Sequence, residues 1–170
     1  MRTAADPDQD GHVGPPRPYH HGDLPAALLA AVASLIEEQG LEAVSLRAAA
    51  RRAGVSHAAP AHHFGDKSGL LAAFAAQGFE IFTHDLEQAR AATPGTPAEQ
   101  LDAMGRAYLA FASQHRPWFE VMFRPELIGA HREEVSETGR GSFDVVVAQL
   151  ADCLAPGTPA EEITGLAMSA

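Results

Sequence analysis

A chain of 170 residues that is 46% hydrophobic, 20% charged and 6% aromatic can bury a core without disulfide or metal staples, as one domain or two small ones sharing a core. Alanine fills 34 positions; it is the best helix former and a poor strand former, so an all-α fold is expected. Twelve Lys and Arg against 22 Asp and Glu give a net charge of −10, which evenly spread would argue against nucleic acid, and the single Cys153 excludes an internal disulfide framework.

Residues 1–18, rich in Pro, Gly and Asp without apolar periodicity, read as a disordered leader. A first helix is expected from Asp23, its N-cap, with Leu28, Val32, Leu35 and Ile36 as a buried stripe and Gly40 as a left-handed C-terminal stop. Ser45 caps a second helix that buries Leu46, Ala49, Ala50 and Ala53 and leaves Arg47, Arg51 and Arg52 off the stripe. Gly54-Val55-Ser56 then supplies a turn, a buried apolar residue and another N-cap, and Pro60 sits near the start of a short third helix. Two short helices joined by a glycine-containing turn have the form of a helix-turn-helix.

Asp66 is expected to cap a longer helix with Leu71, Phe74, Ala75, Phe79, Phe82 and Leu86 inward. Gly-Thr-Pro-Ala-Glu occurs at 95–99 and again at 157–161, and each copy reads as a capping box with proline at the first helical position. The helix from Pro97 carries Leu101, Met104, Tyr108 and Phe111 and stops near His115. A short aromatic helix, Trp118 to Phe123, ends at Pro125; another starts near Ala130, is weakened by Gly139 and Gly141, and runs on through Phe143, Val146, Val147, Leu150 and Leu154. The last starts at Thr158 and has made barely three turns at Ala170.

The charge is uneven. Residues 45–67 carry Arg47, Arg51, Arg52 and Lys67 against Asp66 alone, with His57, His62 and His63 in the same window: a basic island on an acidic chain, in the form of a nucleic-acid-facing patch or else a solvated helix face. Met1 to Asp6 lacks the apolar core of a signal peptide, and no run reaches the roughly 18 apolar residues of a membrane span, so a cytoplasmic protein without membrane contact is expected.

Gly40-Leu41, Ser45-Leu46-Arg47, Ala53-Gly54-Val55-Ser56, the run from Pro60 to Lys67 and Leu70-Leu71 carry a resemblance. With them, His20 to Leu71 resembles the DNA-binding domain of the TetR family of transcriptional regulators. Arg116-Pro117-Trp118-Phe119-Glu120-Val121-Met122-Phe123 looks like the ligand-binding half of that family's WHG type. The resemblance implies a three-helix DNA-binding head at 19–66 and a helical effector-binding and dimerisation domain at 67–170. It also implies a homodimer on a pseudo-palindromic operator in double-stranded DNA, mostly repressing, and released by a small-molecule effector of unknown identity. In the family two long C-terminal helices make the dimer, so the end at Ala170 reads as a truncation or as a different mode of dimerisation.

By the same resemblance, Arg47 reaches a base edge or phosphate, Ser45 caps its helix beside phosphate, and Ser56, His57, Ala58 and Ala59 open the recognition helix. His63 and Lys67 match phosphate contacts, whereas Ala61 stands where a tyrosine is usual and removes a phosphate hydrogen bond. Thymine-methyl contacts and indirect readout then gain weight. Phe82, Met104, Tyr108, Phe111, Trp118, Met122, Phe143 and Val147 are candidate effector-pocket residues, or ordinary core.

No metal site or cofactor is expected. His62 and His63 point about 100° apart on a helix, and no cysteine or carboxylate joins them, His57 or the pair His20-His21 at ligand spacing. Cys153 reads as a buried small hydrophobe. No nucleophile elbow or phosphate loop points to an enzyme. The rival reading is a helical ligand-binding or interaction module with a degenerate DNA head.

Overall fold

The computed structural model describes residues 24–168, and the expected leader, the Asp23 cap and the pair His20-His21 lie outside them. Among the described residues the chain is helical throughout: α1 Leu24–Gln39, a 3₁₀ turn Leu41–Ala43, α2 Leu46–Ala53, α3 Ala59–Phe64, α4 Lys67–Ala91, α5 Pro97–Gln114, α6 Arg116–Met122, α7 Pro125–Ile128, a 3₁₀ turn Gly129–His131, α8 Arg132–Cys153 and α9 Ala160–Ala167.

Three starts follow from local chemistry. Ser45 Oγ accepts the Ala48 N–H at 3.1 Å, and Asp66 Oδ1 accepts the Gly69 N–H at 2.9 Å. At α5 the capping box is complete: Thr96 Oγ1 accepts the Glu99 N–H, and the Glu99 carboxylate accepts the Thr96 N–H at 2.7 Å. These bonds hold both carboxyl groups below their ordinary values: for Asp66 chiefly the Gly69 N–H, then the Ser68 hydroxyl, and for Glu99 the Thr96 N–H and hydroxyl. The α2–α3 turn closes on Gly54 in the left-handed conformation (φ 69°, ψ 31°), where a β-carbon would be strained.

α4 is the spine. Its 25 residues run about 37 Å, and it packs most heavily on α8 and α5 and then on α6. Leu28, Leu70, Leu71, Phe74, Leu86, Met104 and Phe111 are almost completely buried in one continuous core. Burying each contributes about 1.5–3 kcal/mol, which outweighs the weak helix propensity of the phenylalanines. The expected inward faces of α1 and α4 are buried at every named position.

Several local expectations give way to tertiary chemistry. Ser56 does not cap α3: the helix starts at Ala59, its N-cap position is Ala58, and Ser56 contributes its carbonyl to the Ala59 N–H at 3.1 Å. The second Gly-Thr-Pro-Ala-Glu does not form a capping box. Thr158 turns back on the preceding turn, its N–H and hydroxyl both donating to the Ala155 carbonyl, and α9 begins at Ala160. Val55 is half-buried, and Gly40 has the expected positive φ (83°) but an extended ψ (166°) that leads into a 3₁₀ turn. The helix expected near Ala130 begins at Arg132, after the short α7 that Pro125 starts. α8 passes unbroken through Gly139 and Gly141, and Gly139 leaves room for the Phe79 ring, whose carbons lie 3.2–3.4 Å from where a β-carbon would stand. Cys153 is exposed because it ends α8 on the solvent side.

Candidate functional site

The expected DNA-facing residues lie at the start of α2, in the turn before α3, on α3 and at the start of α4, and all but Ala59 are exposed. α2 and α3 pack on each other and on α1 through Ala48, Ala49, Ala50 and Pro60, so their opposite sides face solvent. Ser45 and Arg47 stand exposed at the start of α2. Ser56, His57 and Ala58 are exposed in the turn before α3; Ala61 and His63 are exposed on it, Ala59 is half-buried, and Lys67 is exposed at the start of α4. Exposed helix N-termini together with the cationic side chains of Arg47 and Lys67 favour a polyanion.

The basic island is smaller than its sequence indicates. Arg52 forms a two-pronged ion pair with Glu38 near the end of α1, which ties α1 to α2 and offsets its charge. Arg47, Arg51 and Lys67 make no ion pair among the described residues. His62 and His63 meet edge to face, with ring centroids 5.5 Å apart. Among the described residues no three His, Cys, Asp or Glu side chains converge as a metal would require.

Half of the expected effector residues pack into the core. Phe82, Met104, Phe111 and Met122 are buried together, and Phe82 touches both Phe111 and Tyr108, with centroids 5.0 and 5.7 Å apart. Tyr108 stays 41% exposed, its ring against Phe119. Trp118 stacks on Phe74 at 5.1 Å and 19°, and its indole N–H donates to Gln77 Oε1 at 3.1 Å. Phe143 and Val147 are half-buried on α8 and stay outside that core.

Two cavities lie elsewhere, both where α1–α3 meet the later helices. One, of about 180 Å³, is lined by His63 and Phe64 of α3, Gly69 and Ala73 of α4, and His131, Glu134 and Val135. The other, about 340 Å³, is an open cleft between α1 (Ala30, Ala33, Ser34, Glu37) and Gln77, Gln114, Pro117 and Trp118. Of the expected residues only His63 and Trp118 line either one. Glu37, Gln77 and Gln114 carried no periodic or motif signal, because each faces the cleft from a different helix.

Comparison with known proteins agrees with this architecture. Residues 28–74 match the family described as bacterial regulatory proteins, tetR family, and residues 101–170 match the tetracyclin repressor-like C-terminal domain. The HTH-type transcriptional regulator BetI of Burkholderia thailandensis is 29% identical over 150 residues, covering 84% of this chain and 75% of that protein. A solved structure of a protein of unknown function from Rhodococcus sp. RHA1 is 36% identical with a TM-score of 0.76, covering 91% of this chain and 81% of that one. The TetR family regulator PfmR from Thermus thermophilus shares the fold at 21% identity, with a TM-score of 0.65 over 84% of this chain and 79% of its own. With a tetR-type helix-turn-helix and a tetracyclin repressor-like C-terminal half on one helical framework, this chain belongs to the TetR family and is a DNA-binding transcriptional regulator.

Proposed function

We propose that the chain is a repressor that binds a pseudo-palindromic operator as a homodimer and leaves it when a small-molecule effector binds. In this reading residues 19–66 form the head and residues 67–170 the effector-binding and dimerisation body, with α4 running from one to the other. α3 enters the major groove, its opening residues His57, Ala58 and Ala59 against base edges, with Ser56 in the turn before it and Ala61 on its exposed side. Arg47 reaches a base edge or phosphate, and Ser45, His63 and Lys67 hold the backbone. The supporting observation is the exposure of Ser45, Arg47, Ser56, His57, Ala58, Ala61, His63 and Lys67, with Arg47 and Lys67 free of carboxylate partners among the described residues.

With so few hydrogen-bonding groups at the start of α3, methyl contacts and the deformability of the site carry much of the specificity. Release is a population shift: the effector favours a head arrangement that no longer matches consecutive major grooves. Selection from random duplex DNA at low and moderate salt tests the reading. Enrichment of a pseudo-palindrome is expected, with its half-site spacing giving the distance between heads. Binding that is sensitive to salt but blind to sequence would refute it.

A further inference from the structure

Phe82, Met104, Phe111 and Met122 are buried in the core, whereas the cleft between α1 and α6 is open and about 340 Å³. That volume lies at the lower end of ordinary small-molecule sites; the 180 Å³ cavity beside His131 falls below it. We propose that the α1–α6 cleft binds a small organic cation bearing N–H donors, a primary ammonium or amidinium on a short apolar body, with Glu37 as its counter-ion and Trp118 as its apolar wall. The proposal rests on the reading of the chain as an effector-controlled regulator and assigns the effector's chemistry and its place.

The sign of the charge follows from the walls. α1 has no basic residue in its last turn, where Glu37 and Glu38 lie against the negative end of the helix dipole. Glu38 is paired with Arg52, but Glu37 has no ion pair among the described residues, and Arg116 does not reach it. Gln114 is the last residue of α5, another helix end without a basic residue in its final turn. α6 presents its positive end to the same cleft, yet Pro117 has no N–H and the Phe119 N–H is already taken by the His115 carbonyl at 3.0 Å. The balance is negative.

The hydrogen-bonding groups include the acceptors a cation needs. Ser34 spends its proton on the Ala30 carbonyl at 3.1 Å and offers lone pairs. Glu37 offers two carboxylate oxygens, Gln114 an amide carbonyl and NH2, and Gln77, whose Oε1 accepts the Trp118 indole N–H, its amide NH2. The Glu37 carboxylate beside an aromatic wall suits a cation that brings its own donors. The cleft's position supplies the response. Its α1 wall belongs to the unit that carries α2 and α3, and Glu37 adjoins the Glu38–Arg52 tie between α1 and α2. A ligand held between Glu37 and Trp118 therefore fixes α1 against α6.

Trp118 is the chain's only tryptophan, so its fluorescence reports the cleft directly. The probe is benzylammonium, with tetramethylammonium and benzoate as comparisons, against the intact chain and against Glu37→Gln and Ala30→Leu. Ala30 is an exposed cleft residue where a larger helix former fills space without entering the core. Benzylammonium should give a saturable change in emission, weakened about tenfold or more by E37Q through the lost charge-assisted bond and abolished by A30L, with both variants melting close to the parent. Tetramethylammonium should bind more weakly and benzoate not at all. No saturable change, equal binding of benzoate or tetramethylammonium, or indifference to both substitutions overturns the proposal. A silent Trp118 in a chain that selects an operator refutes this site and leaves the regulator reading standing. A responsive Trp118 in a chain that selects no sequence does the reverse.

Discussion

Gly69 offers the sharpest test of how α3 is joined to α4. A β-carbon added there would lie 2.0 Å from the carbonyl oxygen of Phe64, the last residue of α3, and 3.3 Å from His131 Nε2. The carbonyl cannot swing away freely, because it accepts the Asp66 N–H at 2.9 Å in the turn that sets α3 against α4. Gly69→Ala must therefore push the end of α3. Overpacking of this kind costs about 3 kcal/mol at the upper end, and alanine's helix propensity returns at most about 1, leaving a net loss of about 2 kcal/mol. Gly105, on the exposed side of α5 with nothing within 4 Å of its added β-carbon, is the control. Gly105→Ala keeps the propensity gain of about 1 kcal/mol without a clash. For a chain of this size, G69A should melt about 4–8 °C below the parent and G105A about 2–4 °C above it, by circular dichroism at matched concentration. G69A should also bind operator less tightly, since α3 moves, and G105A should not. A G69A protein that melts at or above the parent refutes the close packing of α3 on α4.

Arg47→Ala should weaken operator binding by about 1–3 kcal/mol and relax preference at one position, whereas Lys67→Ala should weaken all duplexes alike and reduce the salt slope by about 1. Titrations of matched and mismatched duplexes at several salt concentrations check both, and unchanged affinity removes the residue concerned from the interface. Because Asp66 titrates below its ordinary 3.8, its cap stabilises the fold above that value and is lost as pH falls through the depressed one. Asp66→Asn keeps a capping oxygen but no titratable group, so melting curves taken into the acid range should lose part of their fall; parallel curves for the two proteins would contradict the cap's role. Gly78→Ala would set a β-carbon 2.6 Å from Met122 Sδ and 3.1 Å from Trp118 Cβ, lifting α6 off α4. A changed Trp118 emission together with a lower melting point is expected, and unchanged emission would show that Met122 yields alone.

Most of the fold was legible because helices are written in local chemistry. Ser45, Asp66 and Thr96 cap the helices expected of them, since an N-cap needs only its own side chain and an N–H three residues on. The apolar stripes of α1 and α4 are buried as spaced, because one face of a helix repeats every three to four residues in any surroundings. The same rules failed at Thr158 and Ser56, where a preceding turn took the groups that a cap would have used.

The cleft between α1 and α6 could not be read this way. Tyr108, Phe111 and Trp118 drew notice as aromatics at helical spacing, yet two of them pack on Phe82 and only Trp118 reaches a cavity. Glu37 is an exposed helix charge with no motif around it, while its neighbour Glu38 is claimed by Arg52, 14 positions away. The sequence alone determined most of the helices, the caps at Ser45, Asp66 and Thr96, and the cluster of basic residues at 45–67. Only the tertiary structure decided which cations stay free, which aromatics become core and where a cleft remains. Those depend on residues such as Gln77 and Trp118, 41 positions apart, whose meeting is set by packing and not by any local periodicity.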